Sequence, residues 1–246
     1  MIPHLAFRPP VIAHRGAGMD APENTLAAVR AANEHGVKWI EVDVKITYDG
    51  IPILMHDETL DRTTSGTGLV AETTWEKIQK LDAGKSFDSR FVGERIPLLT
   101  EVVQAVLSYD MSMIVEIKPC AGRARATTMV TVIEMAKVWP EQKLLPVIAS
   151  YDDECLEIAA QLEPHWPRCI LMDQWDPEWH SRVDRQGASA VALREDQLTA
   201  SRVKMFVDYN IPLLAYTLSD AARAKELLAW GVAAVYAGSP RDIVKP

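Results

Sequence analysis

Cysteine is scarce in this chain, and its three cysteines match no disulfide or zinc pattern. Cys120, Cys155 and Cys169 are odd in number and widely spaced, with no CxxC pair and no clustering with histidine. A disulfide framework needs paired cysteines, and a structural zinc site needs closely spaced cysteine and histidine ligands. The sequence therefore supports neither.

Long apolar runs and basic runs are also missing. No stretch reaches the ~18 uninterrupted apolar residues of a membrane-spanning helix, and the first ten residues lack a basic segment followed by a long apolar one. We therefore expect a cytoplasmic protein with no stable membrane insertion. The net charge of −8 and the absence of a Lys/Arg-rich run argue against nucleic-acid binding. An anionic substrate would need cations placed locally.

Size and composition are ordinary for a globular protein. The chain has 246 residues, of which 48% are hydrophobic and 24% charged, which fits one large α/β domain or two small ones. No internal repeat or low-complexity linker marks a second domain. We therefore expect a single domain over residues 1–246, while its oligomeric state stays open.

Short β-rich apolar runs alternate with helical patterns from one end of the chain to the other. Eight predicted strands with helices between them at this length favour a (β/α)8 TIM barrel, an α/β fold, with an open doubly wound sheet as the alternative. The predicted strands are Val11–Ala13, Trp39–Val44, Met113–Ile117, Leu145–Ala149, Cys169–Met172, Ala190–Leu193, Leu213–Tyr216 and Ala233–Tyr236. The predicted helices are Asn24–Glu34, Thr100–Leu107, Thr127–Val138, Asp153–Gln161, Pro177–Asp184, Thr199–Asp208 and Ala221–Trp230.

One segment, residues 48–97, interrupts this rhythm after the second strand. It is too long for a plain loop between strand and helix. Asp49-Gly50 is a tight-turn signal that joins strand two to the apolar run Ile51–Met55. We therefore expect a small insertion that contains a hairpin and an excursion over the barrel mouth.

Two carboxylates lie two positions apart in the second predicted strand. Because strand side chains alternate between faces, Glu41 and Asp43 must point to the same side. Two adjacent anions repel each other and are costly to desolvate unless a cation lies between them. The pair therefore indicates a metal site, and the alternative is an edge strand with one solvated face.

Further charged side chains follow the other early strands. His14-Arg15 ends the first strand, His56 follows the hairpin, and Glu116 and Lys118 repeat the two-residue spacing at the third strand of the barrel. In a TIM barrel these positions share one rim, where active sites lie. Three carboxylates favour Mg²⁺ or Ca²⁺ over zinc. Histidines suit acid–base catalysis, and a metal with an arginine and a lysine suits a phosphate, so the rim predicts phosphoester hydrolysis or transfer.

The motifs in their order along the chain resemble the glycerophosphodiester phosphodiesterase family, and are most similar to its cytoplasmic bacterial type associated with glycerol-3-phosphate uptake. The resemblance spans nearly the whole chain. The motifs are His14-Arg15-Gly16, Ala21-Pro22-Glu23-Asn24-Thr25, Glu41-x-Asp43, Tyr48-Asp49-Gly50, His56-Asp57, Leu60-Asp61-Arg62-Thr63-Thr64-Ser65-Gly66, Leu81-Asp82-Ala83-Gly84 and Glu116-Ile117-Lys118-Pro119.

This resemblance implies cleavage of deacylated phospholipids such as glycerophosphocholine or glycerophosphoethanolamine to glycerol 3-phosphate and an alcohol. It implies one divalent cation, Mg²⁺ or Ca²⁺, without choosing between them. The implied roles are acid–base catalysis for His14 and His56, metal binding for Glu41, Asp43 and Glu116, phosphate binding for Arg15 and Lys118, and support of His14 or a substrate contact for Glu23. Tyr216 is a further candidate for substrate binding, because it lies at the end of the seventh predicted strand. Asn24 either supports the site or caps the following helix.

The second half of the chain departs from the family pattern. Relatives commonly carry a polar pair where this chain has Ala192 and Arg194, and a Thr-Asp pair where it has Ala237-Gly238. Arg194 either meets an anionic head group or is an exposed loop arginine. Trp175 and Trp179 either wall the alcohol side of the pocket or pack a loop.

Two alternative functions stay open. One is a phospholipase-D-like enzyme of the same superfamily, and the other is a catalytically weak or silent phosphodiester-binding module. The sequence also leaves open which histidine is the acid, and whether water attacks phosphorus directly or the glycerol 2-hydroxyl attacks first through a cyclic phosphate.

Overall fold

The fold is built around a ring of parallel strands, seen in a computed structural model that describes residues 5–244. Nine strands form one sheet, and eight of them run parallel. The strands are β1 (Val11–Ala13), β2 (Trp39–Ile46), β3 (Pro52–Leu54), β4 (Ser112–Ile117), β5 (Val147–Ser150), β6 (Arg168–Met172), β7 (Ala190–Arg194), β8 (Leu213–Leu218) and β9 (Ala234–Ala237).

Strand β1 closes the ring, because it pairs with β2 on one side and with β9 on the other. The remaining parallel strands follow in the order β2, β4, β5, β6, β7, β8 and β9, and β3 is antiparallel to β2 outside the ring. The predicted (β/α)8 barrel is therefore confirmed, and the open doubly wound sheet is wrong, since an open sheet would leave two edges unpaired.

Helices lie between the consecutive barrel strands, and one further helix follows the last strand. They are α1 (Leu26–Glu34), α2 (Trp75–Ile78), α3 (Leu99–Ser108), α4 (Ala124–Val138), α5 (Asp153–Leu162), α6 (Trp179–Gln186), α7 (Ala200–Asp208), α8 (Ala221–Trp230) and α9 (Arg241–Val244). Each predicted strand and helix overlaps an observed one, with ends that differ by a few residues.

Two of the shifted boundaries have clear physical causes. The predicted strand from Leu145 begins instead at Val147, because Pro146 has no N–H to donate to a neighbouring strand. Helix α1 begins after Thr25, whose hydroxyl accepts a hydrogen bond from the backbone of Ala28. Thr25 is therefore the N-cap, and of the two alternatives for Asn24 the helix cap is wrong.

Strand β2 is buried along its whole length, with its two faces in different cores. Ile40, Val42 and Val44 pack in the core between the strands and the helices. Trp39 instead packs inside the ring of strands with Ile12. Because side chains alternate along a strand, the odd-numbered positions after Trp39 also face the inside of the barrel.

Residues 48–97 carry strand β3, helix α2 and a small apolar core of their own. Ile53, Leu60, Val70 and Ile78 are buried together in it. The assignment of residues 1–246 to one domain, with residues 48–97 over the barrel mouth, stays a prediction. Among residues 5–244, no helix is long and apolar enough to cross a membrane.

Gly84 is expected to be essential for the stability of this segment. A Cβ atom at Gly84 would lie 1.8 Å from the backbone oxygen of Phe91, whereas one at Gly66 would meet only the movable end of the Leu81 side chain. We expect Gly84→Ala to lower the free energy of unfolding by about 1–3 kcal/mol or more. Denaturant unfolding measures this change. Gly66→Ala is the matched control, and equal losses in both variants would contradict the prediction.

Candidate active site

A cavity of about 470 Å³ opens at the carboxyl ends of the barrel strands. Most of the residues singled out from the sequence lie in its wall, and Asp43 lies buried beside them. The lining residues are His14, Arg15, Glu41, His56, Glu116, Lys118, Ala149, Tyr151, Leu171, Asp173, Arg194, Glu195, Asp196, Tyr216, Thr217 and Tyr236.

Three buried carboxylates meet on the wall formed by β2 and β4. The parallel register places Asp43 beside Glu116, and one oxygen each from Glu41, Asp43 and Glu116 lie within 4.8 Å of one another. Burial and the neighbouring anions raise the pKa of Glu41 well above its usual value and that of Glu116 to about 7. Such a cluster carries unfavourable charge on its own.

The cluster fits a divalent cation. Oε1 of Glu41 is buried and has no hydrogen-bond partner among the described residues, and a buried oxygen without a partner is costly. The set consists of oxygen donors only, which suits a hard cation such as Mg²⁺ or Ca²⁺. The carboxylates can therefore hold a metal ion, whose identity stays a prediction.

His14 lies at the end of β1 beside this cluster. Its backbone N–H donates to the carbonyl of Ala237 at 2.9 Å, and its Nε2 lies 3.8 Å from Oε2 of Glu41. Burial, assisted by the nearby Arg15 charge, lowers the pKa of His14 to about 4. The imidazole is therefore neutral at pH 7 and has a free lone pair for a proton.

His56 follows β3 and is oriented by its neighbour in the chain. Its Nδ1 lies 2.6 Å from Oδ1 of Asp57. Burial lowers the pKa of His56, although the nearby Asp43 and Asp57 carboxylates oppose this shift. Because a carboxylate accepts the hydrogen bond, Nδ1 carries the proton and Nε2 is left to accept one.

Arg15 is held at the cavity by three carboxylates. Its backbone N–H donates to Oε2 of Glu41 at 3.0 Å, and its Nη1 donates to Oε1 of Glu23 at 2.8 Å. Its Nε lies 3.5 Å from Oδ2 of Asp43 but makes no hydrogen bond among the described residues. Burial lowers the pKa of Arg15, but these carboxylates raise it overall, so the guanidinium is charged.

Lys118 supplies the second cation of the cavity wall. Its Nζ lies 2.6 Å from Oε1 of Glu116 and 3.9 Å from Oδ1 of Asp43. Burial lowers the pKa of Lys118, but these carboxylates raise it by more, so the pKa lies above its usual value. The ammonium group also lies 5.3 Å from the centre of the Tyr151 ring.

Asn24 supports the acidic cluster from behind. Its Nδ2 donates to Oδ2 of Asp43 at 2.8 Å, and its Oδ1 accepts from the backbone N–H of Asp43 at 3.0 Å. This reciprocal pair fixes the Asp43 carboxylate. Glu23 hydrogen-bonds to Arg15 and Arg62 and is not among the residues lining the cavity. Its contact with the substrate stays a prediction.

The far side of the cavity contains tyrosines and acidic residues. The Tyr216 hydroxyl donates to the carbonyl of Met172 at 2.6 Å and accepts from the Tyr151 hydroxyl at 2.8 Å. Asp173 lies 3.1 Å from the same hydroxyl. The tyrosine pair is thereby held in place as one wall of the cavity.

Two of the departures from the family pattern, Ala192 and Arg194, lie on β7, whereas Ala237 ends β9 beside β1. Arg194 lies at the end of β7, where its guanidinium hydrogen-bonds to Asp196, with Nε donating to Oδ1 at 2.8 Å. Ala192 is buried inside the barrel. Trp175 and Trp179 pack against Phe206 and are not among the lining residues, so loop packing describes both tryptophans.

Several residues at the site have only a weak signal in the sequence. Tyr151 directly follows β5, and Asp173 directly follows β6, so the rule that barrel sites form after strands points to both. Asp57 and Arg62 lie within a quoted motif, but their partners are revealed only by the fold. Tyr236, on β9, is buried beside His14 with ring centres 6.2 Å apart.

Comparisons with known proteins show which family this chain is similar to. The sequence profile of the Glycerophosphoryl diester phosphodiesterase family matches residues 14–240. A glycerophosphodiester phosphodiesterase from Caldanaerobacter subterraneus subsp. tengcongensis is 51% identical over 170 residues, which span 67% of this chain and 69% of that protein. Glycerophosphodiester phosphodiesterase 1 from Bos taurus is 42% identical over 166 residues, which span 67% of this chain but only 49% of that protein.

A solved structure is similar over nearly the whole chain. It is an Oleispira antarctica phosphodiesterase in complex with the product sn-glycerol-3-phosphate, with a TM-score of 0.94 and 32% identity, covering 96% of this chain and 95% of that one. The family resemblance of the motifs is thereby confirmed. The chain belongs to the glycerophosphoryl diester phosphodiesterase family and is an enzyme of that family.

Proposed function

We propose that this enzyme hydrolyses glycerophosphodiesters such as glycerophosphocholine or glycerophosphoethanolamine to glycerol 3-phosphate and an alcohol. The observation that carries the proposal is the convergence of three buried carboxylates, two histidines and two cations in one cavity. The structural relative with sn-glycerol-3-phosphate bound as product supports the identity of the phosphate-containing product.

The acidic and the basic side chains of the cavity have different roles in binding the phosphate. Glu41, Asp43 and Glu116 would hold one divalent cation, Mg²⁺ or Ca²⁺. When bound, such an ion offsets the carboxylate charge and polarises phosphate oxygens. Arg15 and Lys118 bind non-bridging oxygens through charge-assisted hydrogen bonds, which strengthen as negative charge grows during attack.

The two histidines move the protons. A P–O bond forms with an attacking oxygen, from water or from the glycerol 2-hydroxyl, and the P–O bond to the alcohol breaks. One imidazole of the pair His14 and His56 takes the proton of the attacking hydroxyl, and the other, which enters the step as the imidazolium, gives its proton to the departing alcohol. Proton exchange with water then returns both histidines to their starting forms. A cyclic phosphate, if formed first, is opened by water in a second step of the same kind.

The far side of the cavity favours an alcohol that carries a positive charge. Glu195 pairs with Arg223, and Asp196 pairs with Arg194. Asp173 also lines the cavity but has no ion-pair partner among the described residues. A carboxylate beside the tyrosine rings attracts the ammonium group of choline or ethanolamine.

Replacing Asp173 with asparagine is therefore expected to weaken the use of cationic substrates. We expect KM for glycerophosphocholine to rise roughly two- to five-fold, which is the effect of an exposed charge pair. KM for glycerophosphoglycerol, whose alcohol is uncharged, is expected to stay unchanged. Steady-state kinetics on both substrates measure the difference, and an equal change in both would contradict this role of Asp173.

Product analysis tests the proposed function. The purified protein is incubated with glycerophosphocholine, glycerophosphoethanolamine and glycerophosphoglycerol, with and without a chelator, and glycerol 3-phosphate is quantified. We expect release that stops with the chelator and returns with added Mg²⁺ or Ca²⁺. Hydrolysis only of lysophospholipid vesicles would instead favour the phospholipase-D-like alternative, and binding without turnover would favour the silent module.

The cellular location is a separate expectation. The cytoplasm predicted from the sequence stays a prediction, as does the absence of a nucleic-acid partner.

A further inference from the structure

Arg62 lies outside the cavity wall but contacts two carboxylates that support it. Its Nε and Nη2 donate to Oδ2 and Oδ1 of Asp57 at 2.6 and 2.8 Å. Its Nη1 and Nη2 donate to Oε2 and Oε1 of Glu23, both at 2.8 Å. One planar guanidinium therefore makes four hydrogen bonds to two side chains.

Each of these carboxylates contacts a residue of the proposed catalytic apparatus. Asp57 is hydrogen-bonded to Nδ1 of His56, and Glu23 accepts from Nη1 of Arg15. A continuous chain of contacts thus runs from His56 through Arg62 to Arg15. It joins residues 48–97, which supply His56 and Arg62, to the loop that follows β1.

The charges along this chain alternate in sign. Hydrogen bonds from Arg62 hold the pKa of Asp57 well below its usual range. Burial raises the pKa of Glu23, but the hydrogen bonds from Arg62 and the Arg15 charge lower it overall. Both carboxylates are therefore ionised, and without Arg62 they would face each other with no cation between them.

We propose that Arg62 is a positioning residue that fixes His56 and Arg15 relative to each other. The proposal rests on the proposed function, because it assigns His56 to proton transfer and Arg15 to the phosphate. The planar guanidinium can engage both carboxylates in a fixed geometry, whereas a lysine ammonium binds as a single point charge. A simple surface ion pair would contribute little and would not require this geometry.

Kinetics of single variants test the proposal. We expect Arg62→Gln to lower kcat/KM roughly 10- to 100-fold, the scale of a small misplacement of catalytic groups. Arg62→Lys is expected to restore only a small part of the loss. Asp57→Asn should act mainly on kcat through His56, Glu23→Gln mainly on KM through Arg15, and Arg62→Gln on both.

Arg90 offers a matched control from the same part of the chain. It is an exposed arginine whose Nε donates to Asp88 at 3.1 Å, and it does not line the cavity. Arg90→Gln removes the same charge and is expected to leave kcat and KM within about twofold of the wild type, as is usual for surface substitutions. Thermal unfolding of every variant separates lost activity from lost folded protein.

A double variant tests whether Arg62 acts through Asp57. If it does, Arg62→Gln combined with Asp57→Asn should lower kcat little more than the more damaging single variant. Independent, multiplicative losses would overturn the proposal. Unchanged kcat and KM in Arg62→Gln, or a loss explained by unfolding alone, would also overturn it.

Binding of sn-glycerol 3-phosphate keeps this test distinct from that of the proposed function. An absence of turnover in the wild type would contradict the proposed function. The effect of Arg62 on phosphate binding by Arg15 could still be measured, because calorimetry gives the affinity for sn-glycerol 3-phosphate without turnover. Arg62→Gln and Glu23→Gln should weaken binding of sn-glycerol 3-phosphate at least threefold, and Arg90→Gln should not. Equal affinities in all variants would overturn the role of Arg62.

Discussion

Replacing His14 or His56 with alanine is expected to lower kcat for glycerophosphocholine roughly 10²–10⁴-fold, the usual contribution of a general acid or base. Each variant lacks one of the two imidazoles that take or give a proton while the attacking oxygen replaces the alcohol on the phosphorus atom. KM should change much less, because Arg15 and Lys118 still bind the phosphate. Release of glycerol 3-phosphate under saturating substrate measures the effect.

His165→Ala is the control for both histidine variants. His165 is an exposed residue that does not line the cavity, and its loss is expected to leave kcat unchanged. The two-histidine mechanism would be contradicted if either cavity variant kept a kcat within about tenfold of the wild type. Because both variants remove an imidazole from the cavity wall, circular dichroism and thermal unfolding establish that each is folded.

Glu41→Gln is expected to have opposite effects on metal binding and on the stability of the metal-free protein. Removing one of three clustered carboxylates should weaken Mg²⁺ or Ca²⁺ binding and lower activity roughly 10²-fold or more. Even the loss of a residue that only supports a metal ligand lowers metal affinity or activity about 10–100-fold. Without metal, the variant should unfold at a higher temperature than the wild type, because it lacks a buried carboxyl group that is costly to ionise beside Asp43 and Glu116.

Thermal unfolding with and without added cation measures both effects. A metal that binds only the folded state raises the melting temperature of the wild type, and this rise should largely disappear in Glu41→Gln. Glu76→Gln, which changes an exposed carboxylate of α2 paired with Lys80, should behave like the wild type. An undiminished rise in Glu41→Gln would show that Glu41 is not a ligand.

The barrel could be predicted because each of its strands produces a separate signal in the sequence. Runs such as Ala190–Leu193 are apolar throughout, as expected for a parallel strand covered on both faces. The two-residue spacing in each of two pairs predicted side chains on the same side of a strand. In the structure the side chains of Glu41 and Asp43 lie close together, as do those of Glu116 and Lys118. These features depend only on local periodicity, which a single sequence displays directly.

Contacts between distant segments could not be predicted in the same way. Arg62 and Glu23 lie 39 positions apart, and Tyr151 and Tyr216 lie 65 positions apart. Their proximity follows from the order and register of strands around the ring, which periodicity does not specify. The role of Asn24 stayed open for a local reason, because Asn24 and Thr25 are both good capping residues and only the backbone geometry distinguishes them.

The closure of the ring by β1 has a consequence for synthesis of the protein. The three-residue strand β1 pairs with β2 and β9, and His14 then donates its backbone N–H to Ala237. A growing polypeptide on the ribosome therefore lacks the final neighbour of His14 until β9 has emerged from the exit tunnel. Nascent chains that end before β9 would display open sheet edges, which can pair with other chains and aggregate.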